Sequence, residues 1–124
     1  MAVRFPSGDT AVTCGYAQSL QIFNSAGQHT KSITGPANVN PFFYAGFQIM
    51  DNGNYVLTNW QDHGAGHGNS GVQVLEYDPA GTLVWSWTQD ASYVSSLQGV
   101  LVLNGLDLNK LHVEGENGNL VPVD

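Results

Sequence analysis

Positive charge is nearly missing from this chain: three Lys and Arg face ten Asp and Glu among 124 residues, for a net charge of −7. The cations are Arg4, Lys31 and Lys110, too few and too scattered to neutralise a row of phosphates. That excludes a nucleic-acid partner and disfavours an anionic membrane surface. Cysteine occurs once, so no intrachain disulfide is available. Lying in the apolar run AVTCGY, Cys14 reads as a buried structural thiol rather than a reactive one. No apolar run approaches the roughly 18 residues of a membrane span. Nor does a signal peptide lead the chain, because Met1 runs straight into AVRFPSGD with no apolar region. That start, in mid-pattern, is what a boundary inside a longer chain would give. Helical periodicity is also lacking: with 15 Gly and 5 Pro, no window keeps an i, i+3, i+4, i+7 apolar stripe through three turns. The apolar share of 42% still supports one modest core.

What is present is a strand-and-turn rhythm that occurs twice. Residues 5–17, FPSGDTAVTCGYA, fall on residues 50–62, MDNGNYVLTNWQD, at an offset of 45. Residues 18–33, QSLQIFNSAGQHTKSI, fall on residues 72–87, VQVLEYDPAGTLVWSW, at an offset of 54. Gly8 matches Gly53, Thr13 matches Thr58, and Ala26-Gly27 matches Ala80-Gly81. The nine residues left over are HGAGHGNSG at 63–71. An insertion in one repeat unit usually maps to a loop on a binding face.

The strand candidates are residues 10–14, 19–23, 29–33, 42–50, 55–60, 72–77 and 82–87. Turns at 51–54 (Asp-Asn-Gly-Asn) and 78–81 (Asp-Pro-Ala-Gly) separate them, with Gly free to go left-handed and Pro presetting φ. Residues 93–103 open another set, 111–114 and 119–123 read as a hairpin, and 106–111 is the one candidate helical turn. Four successive short antiparallel strands describe one blade of a β-propeller. The expected fold is therefore all-β, a single unit over 1–124 of antiparallel four-stranded propeller-like blades. Residues 42–87 are the complete blade. Residues 4–34 form a partial blade lacking the innermost strand, and 93–124 a partial blade lacking its outer part. The ring is incomplete in one chain, so either copies assemble as a homo-oligomer or the missing blades belong to a longer chain.

The string GVQVLEYDPAGTLVWSW resembles the repeat of quinoprotein-like and arylsulfotransferase-like β-propellers. Its carriers are Val74, Leu75, Tyr77, Asp78, Gly81, Leu83, Val84, Trp85 and Trp87, and the preceding DNGNYVLTNW resembles the hairpin before them. The first copy departs from that pattern, with HTKSI and no tryptophan in the place of LVWSW. The resemblance implies a fold more than a function, because such repeats are structural. Members include sulfotransferases, quinone-dependent dehydrogenases and assembly scaffolds whose reactive residues come from several blades, so no catalytic residue carries over. A quinone cofactor would need aromatic and cationic contacts that three cations do not supply, and no cofactor is expected.

The segment NWQDHGAGHGN concentrates polar and aromatic groups: Asn59, Trp60, Gln61, Asp62, His63, His67 and Asn69. Loops on a rigid scaffold tolerate insertion and carry function. Asn40 and Tyr44 are further candidates, at a channel mouth, while Phe42, Phe43 and Phe47 read as core. His63 and His67 are four apart, but the surrounding glycines argue against a helix that would present both on one face. Asp62, His63 and His67 as ligands of a divalent metal, or one His as a general acid/base oriented by Asp62, are weighed against side chains that bond this loop's own backbone. Trp85 and Trp87 share a strand face and read as blade-to-blade packing. His29 and His112 read as ordinary surface histidines.

Two functions remain. One is a non-enzymatic binding or scaffold module, self-associating or part of a longer chain, whose 59–71 loop takes a carbohydrate or small molecule. The alternative is a portion of an exported propeller enzyme using His63 or His67 in acid/base or metal chemistry. The lysine-poor surface, rich in Asn, Gly, Ser and Thr, fits a periplasmic or extracellular setting.

Overall fold

Among the described residues ten strands follow one another, and in each sheet every strand pairs antiparallel with the next one in sequence. The computed structural model describes residues 1–64 and 66–104, together with the backbone of two short strands between 112 and 122. The first sheet contains β1 (Ala2–Arg4), β2 (Thr10–Thr13), β3 (Ser19–Phe23) and β4 (His29–Thr34) in that order. The second contains β5 (Phe43–Ile49), β6 (Tyr55–Trp60), β7 (Val74–Tyr77) and β8 (Leu83–Trp87). The two sheets lie side by side like propeller blades, without closing into a ring. A last hairpin pairs β9 (His112–Glu114) with β10 (Leu120–Pro122). The candidate helical turn at 106–111 and His112's side chain lie outside the described residues.

The repeat is structural down to the register. Val12 faces Gln21 in the first sheet as Leu57 faces Leu75 in the second, and Thr13 faces Leu20 as Thr58 faces Val74. Even the irregularities match, with a bulge between Ile22 and Phe23 and its counterpart between Glu76 and Tyr77. The turns match too: Gly8 donates to Phe5 and Gly53 to Met50, both glycines at positive φ (90° and 84°), where a side chain is strained.

Two expectations need correction. The first blade has its innermost strand: Ala2–Arg4 pairs with β2 at the offset of 45 that relates it to the end of β5. Three residues are too short a run to stand out in a sequence pattern. Residues 93–103 form no strand; they cross the second sheet irregularly, with Gln98 O accepting from Gly46 N at 2.9 Å and the Gln48 amide bracketing Val102 at 2.9 and 3.1 Å.

The core lies between the sheets, where Ala11, Leu20 and Ile33 of the first meet Phe47, Leu57 and Leu75 of the second. Thr13 Oγ1 donates across to Ala45 O, and Gly15 and Tyr44 exchange backbone bonds at 3.1 and 3.2 Å. Cys14 is half-buried, its thiol 3.6 Å from Val12 O. Among the described residues no helix is long and apolar enough to cross a membrane.

The Tyr44 and Tyr77 hydroxyls meet at 2.8 Å in this core. Burial raises both phenols above their ordinary range, and their shared bond adds to the rise at Tyr44 and offsets part of it at Tyr77. Burial and nearby Asp9 raise Tyr55 as well. Above about pH 10 the unfolded chain therefore releases phenolic protons that the folded chain keeps. Stability should be fully present below that pH and fall steadily as pH rises beyond it. Urea midpoints taken from about pH 8 to pH 11 check this; a midpoint that stays level above pH 10 would refute it.

Candidate functional site

Connections at one end of the two sheets converge around Trp60. They are the β2–β3 turn with Tyr16, the crossing from β4 to β5 through a 3₁₀ turn at Ala37–Val39, the long β6–β7 loop, and the stretch after β8. Among the described residues the connections within each sheet at the opposite end are tight turns. The insertion thus sits where the chain passes from blade to blade, on a platform that the sheets hold rigid.

The candidates divide into two groups. Tyr44, Asn59 and Gln61 turn inward and are at most 2% exposed, so they cannot meet a ligand. Asn59 clamps three segments: its Oδ1 accepts from Phe42 N at 2.8 Å, and its Nδ2 faces Val39 O, Asn40 O and Val72 O at 3.3, 3.1 and 2.9 Å. Gln61 Nε2 donates to Asn40 O at 3.1 Å, and Gln61 N to Ser96 Oγ at 2.8 Å. Asn40, at φ 47°, uses its side-chain amide to hold Ser70 O. These are loop-bracing roles. The channel-mouth expectation for Tyr44 fails because its strand turns the ring onto the first sheet.

Trp60, Asp62 and His63 do come together, and they share a cleft of about 450 Å³ with Gly64, Ser95, Ser96 and Gln98. Trp60 is its floor, packed edge-on by Phe43 and by the His63 ring at centroid distances of 5.3 and 4.8 Å. Phe43 meets Tyr16 in turn at 4.7 Å, which extends an aromatic ridge to an exposed tyrosine. Ser95 donates to Gly64 O and pins the loop. Gly68 fits against the Val94 and Ser95 carbonyls so closely that a Cβ would lie 2.6 and 2.3 Å from them. His67 and Asn69 are exposed and do not line the cleft.

The chemistry offered is hydrogen bonding. Asp62, at φ 82°, accepts from the His63 backbone N–H at 2.8 Å, a contact that does not orient the imidazole. Among the described residues no three His, Cys, Asp or Glu side chains are grouped as a metal ion would require, so Asp62, His63 and His67 do not form a ligand set. Ser95, Ser96 and Gln98 were invisible in the sequence, because only the path of residues 94–99 over the loop brings them in. Tyr16 and Phe43 carried a weak signal as aromatics beside a glycine turn and a strand start.

No protein-family model matches the chain, and no curated protein is significantly similar to it. The chain is similar to a crystal structure of a protein of unknown function from Bacteroides caccae, with 25% identity and a TM-score of 0.62 over 79% of this chain. The match spans 37% of that protein's length.

Proposed function

We propose that this chain is a non-enzymatic binding module within a β-propeller-like array of the quinoprotein-like or arylsulfotransferase-like kind. Its ligand is a neutral carbohydrate or small polyhydroxyl molecule held in the Trp60–His63 cleft. The observation that carries this reading is the cleft itself, an aromatic floor rimmed by Asp62, His63, Ser95, Ser96 and Gln98. Hydroxyl, amide and imidazole groups beside a tryptophan suit a ligand with apolar C–H edges and many hydroxyls. With no Lys or Arg among the described residues of the rim and a net charge of −7, an anionic ligand is disfavoured.

The test is a titration with a panel of neutral mono- and oligosaccharides followed by heteronuclear NMR. The Trp60 indole N–H and the amides of Ser95 to Gln98 should shift together. His63→Ala should weaken binding roughly five- to tenfold, the equivalent of about 1 kcal/mol for one lost hydrogen bond. Signals at Trp60 that stay still at millimolar sugar, or an unchanged affinity in the His63→Ala variant, would remove the proposal.

A further inference from the structure

The repeat makes one face of the second sheet the counterpart of the face by which the first sheet is covered. Ala11, Leu20 and Ile33 of the first sheet lie against the second and are 0, 0 and 2% exposed. The offsets place Val56, Val74 and Trp87 at those positions, and Trp85 at the position of Lys31. Cross-strand register confirms the shared face: Val56, Glu76 and Trp85 form one row, and Thr58, Val74 and Trp87 the next. Here, however, Trp85 is 51% and Trp87 39% exposed. Residues 94–102 cover this face over β5 and β6, where Val56 is 5% and, in β7, Val74 6% exposed, and leave its outer margin along β8 open. What stays open is a cleft of about 510 Å³ bordered by Met50, Val56, Glu76, Trp85 and Val102.

We infer that this Trp85/Trp87 face is the seat of a further four-stranded sheet of the same repeat. The first sheet shows how seating works. Its Lys31 ammonium donates to Pro79 O, in the β7–β8 turn of the sheet that covers it. Its Ile33 side chain lies 3.2 Å from where a Cβ on Gly81 would stand. The covering surface is apolar, presenting Tyr55, Leu57, Leu75 and Tyr77. A second copy of this chain stacked head to tail offers a more polar surface. The outward face of the first sheet keeps Val12 and Phe23 at the places of Leu57 and Tyr77, but has Gln21 at the place of Leu75 and Thr10 at the place of Tyr55. There Gln21 bonds Ser19, His29 and Ser32 at 2.8, 2.7 and 2.7 Å, a polar network complete in itself. Pressing indoles on it would bury amide and imidazole groups away from water at a net cost. In the Bacteroides caccae protein well over half of the chain lies outside the match, which is length enough for further sheets.

The test extends the full chain at its C-terminus with a second copy of residues 42–104. In that copy all three tryptophans are phenylalanine, so indole emission reports the original chain alone. Seating should shift the emission to the blue and lower acrylamide quenching about twofold or more, since half of the Trp85 surface becomes covered. The same extension with Tyr55→Thr and Leu75→Gln in the copy, the residues that the first sheet's outward face carries at those places, should restore the quenching. Unchanged quenching, or equal shielding by both extensions, overturns the inference. So does an extension that adds no β-sheet circular dichroism, because a sheet offered its seat would fold. An unextended chain that dimerises with both indoles already shielded would give the face to a second copy instead, and that too overturns it.

Discussion

Replacing Asn59 by alanine should lower the free energy of unfolding by about 3–5 kcal/mol, a large share of the roughly 5–15 kcal/mol typical of a domain. The side chain is fully buried. It accepts from the Phe42 N–H and shares its amide hydrogens among the carbonyls of Val39, Asn40 and Val72. Alanine leaves the Phe42 N–H and the Val72 carbonyl without a partner, while Val39 O keeps the Val72 N–H and Asn40 O keeps Gln61 Nε2; each orphaned buried group costs about 1–3 kcal/mol, and the emptied side-chain volume adds to the loss. Some relaxation brings the total below the plain sum. Asn59→Asp is the sharper variant, because it keeps the shape and the acceptor but sets a carboxylate against three carbonyl oxygens. It should be at least as damaging as alanine near neutral pH. Urea unfolding with an unchanged slope measures both, and faster amide exchange at Gln61 and Val72 should accompany the loss. A loss below about 1 kcal/mol would show that the clamp does not hold the loop platform.

Gly35→Ala should cost about 3 kcal/mol through crowding rather than through loss of a bond partner. A Cβ there would stand 2.2 Å from the Tyr44 hydroxyl, 2.9 Å from Pro41 Cγ and 3.0 Å from the Tyr77 hydroxyl. None of these can move freely. Both phenols are locked in the core by their mutual bond, and the proline ring is tied to the crossing between blades. The methyl group must therefore displace the tyrosine pair and break that bond. Tyr44→Phe removes the nearest obstructing atom, so the two substitutions should be non-additive by about 1 kcal/mol or more in a double-mutant cycle. Strict additivity would show that the strain is absorbed elsewhere.

The tight turns and the offsets of 45 and 54 were legible in the sequence because both rest on local chemistry. Asn-Gly and Pro-Ala-Gly preset the backbone, and the repeat then carries strand length and register with it. What could not be read was decided by contacts distant in the chain. Every residue of β6 is buried, since the first sheet covers one face and residues 94–102 the other. The alternation that sorts inward from outward side chains therefore left no trace. Even so, Asn59 and Gln61 continue the row that begins with Tyr55 and Leu57. Carrying the period of two past the end of the strand would have placed both in the core. A histidine- and glycine-rich neighbourhood drew attention to them as ligand contacts, whereas they build the floor on which His63 stands. Ser95, Ser96 and Gln98 lack any local pattern.

Across-strand contacts observed in solution would decide the matter. Nuclear Overhauser effects should pair Val12 with Gln21 and Leu57 with Leu75, repeat the bulges after Ile22 and Glu76, and join the halves between Gly15 and Tyr44. A slip of one residue in either half, helical connectivities in place of strand ones, or silence between Gly15 and Tyr44 would contradict two matched sheets laid side by side.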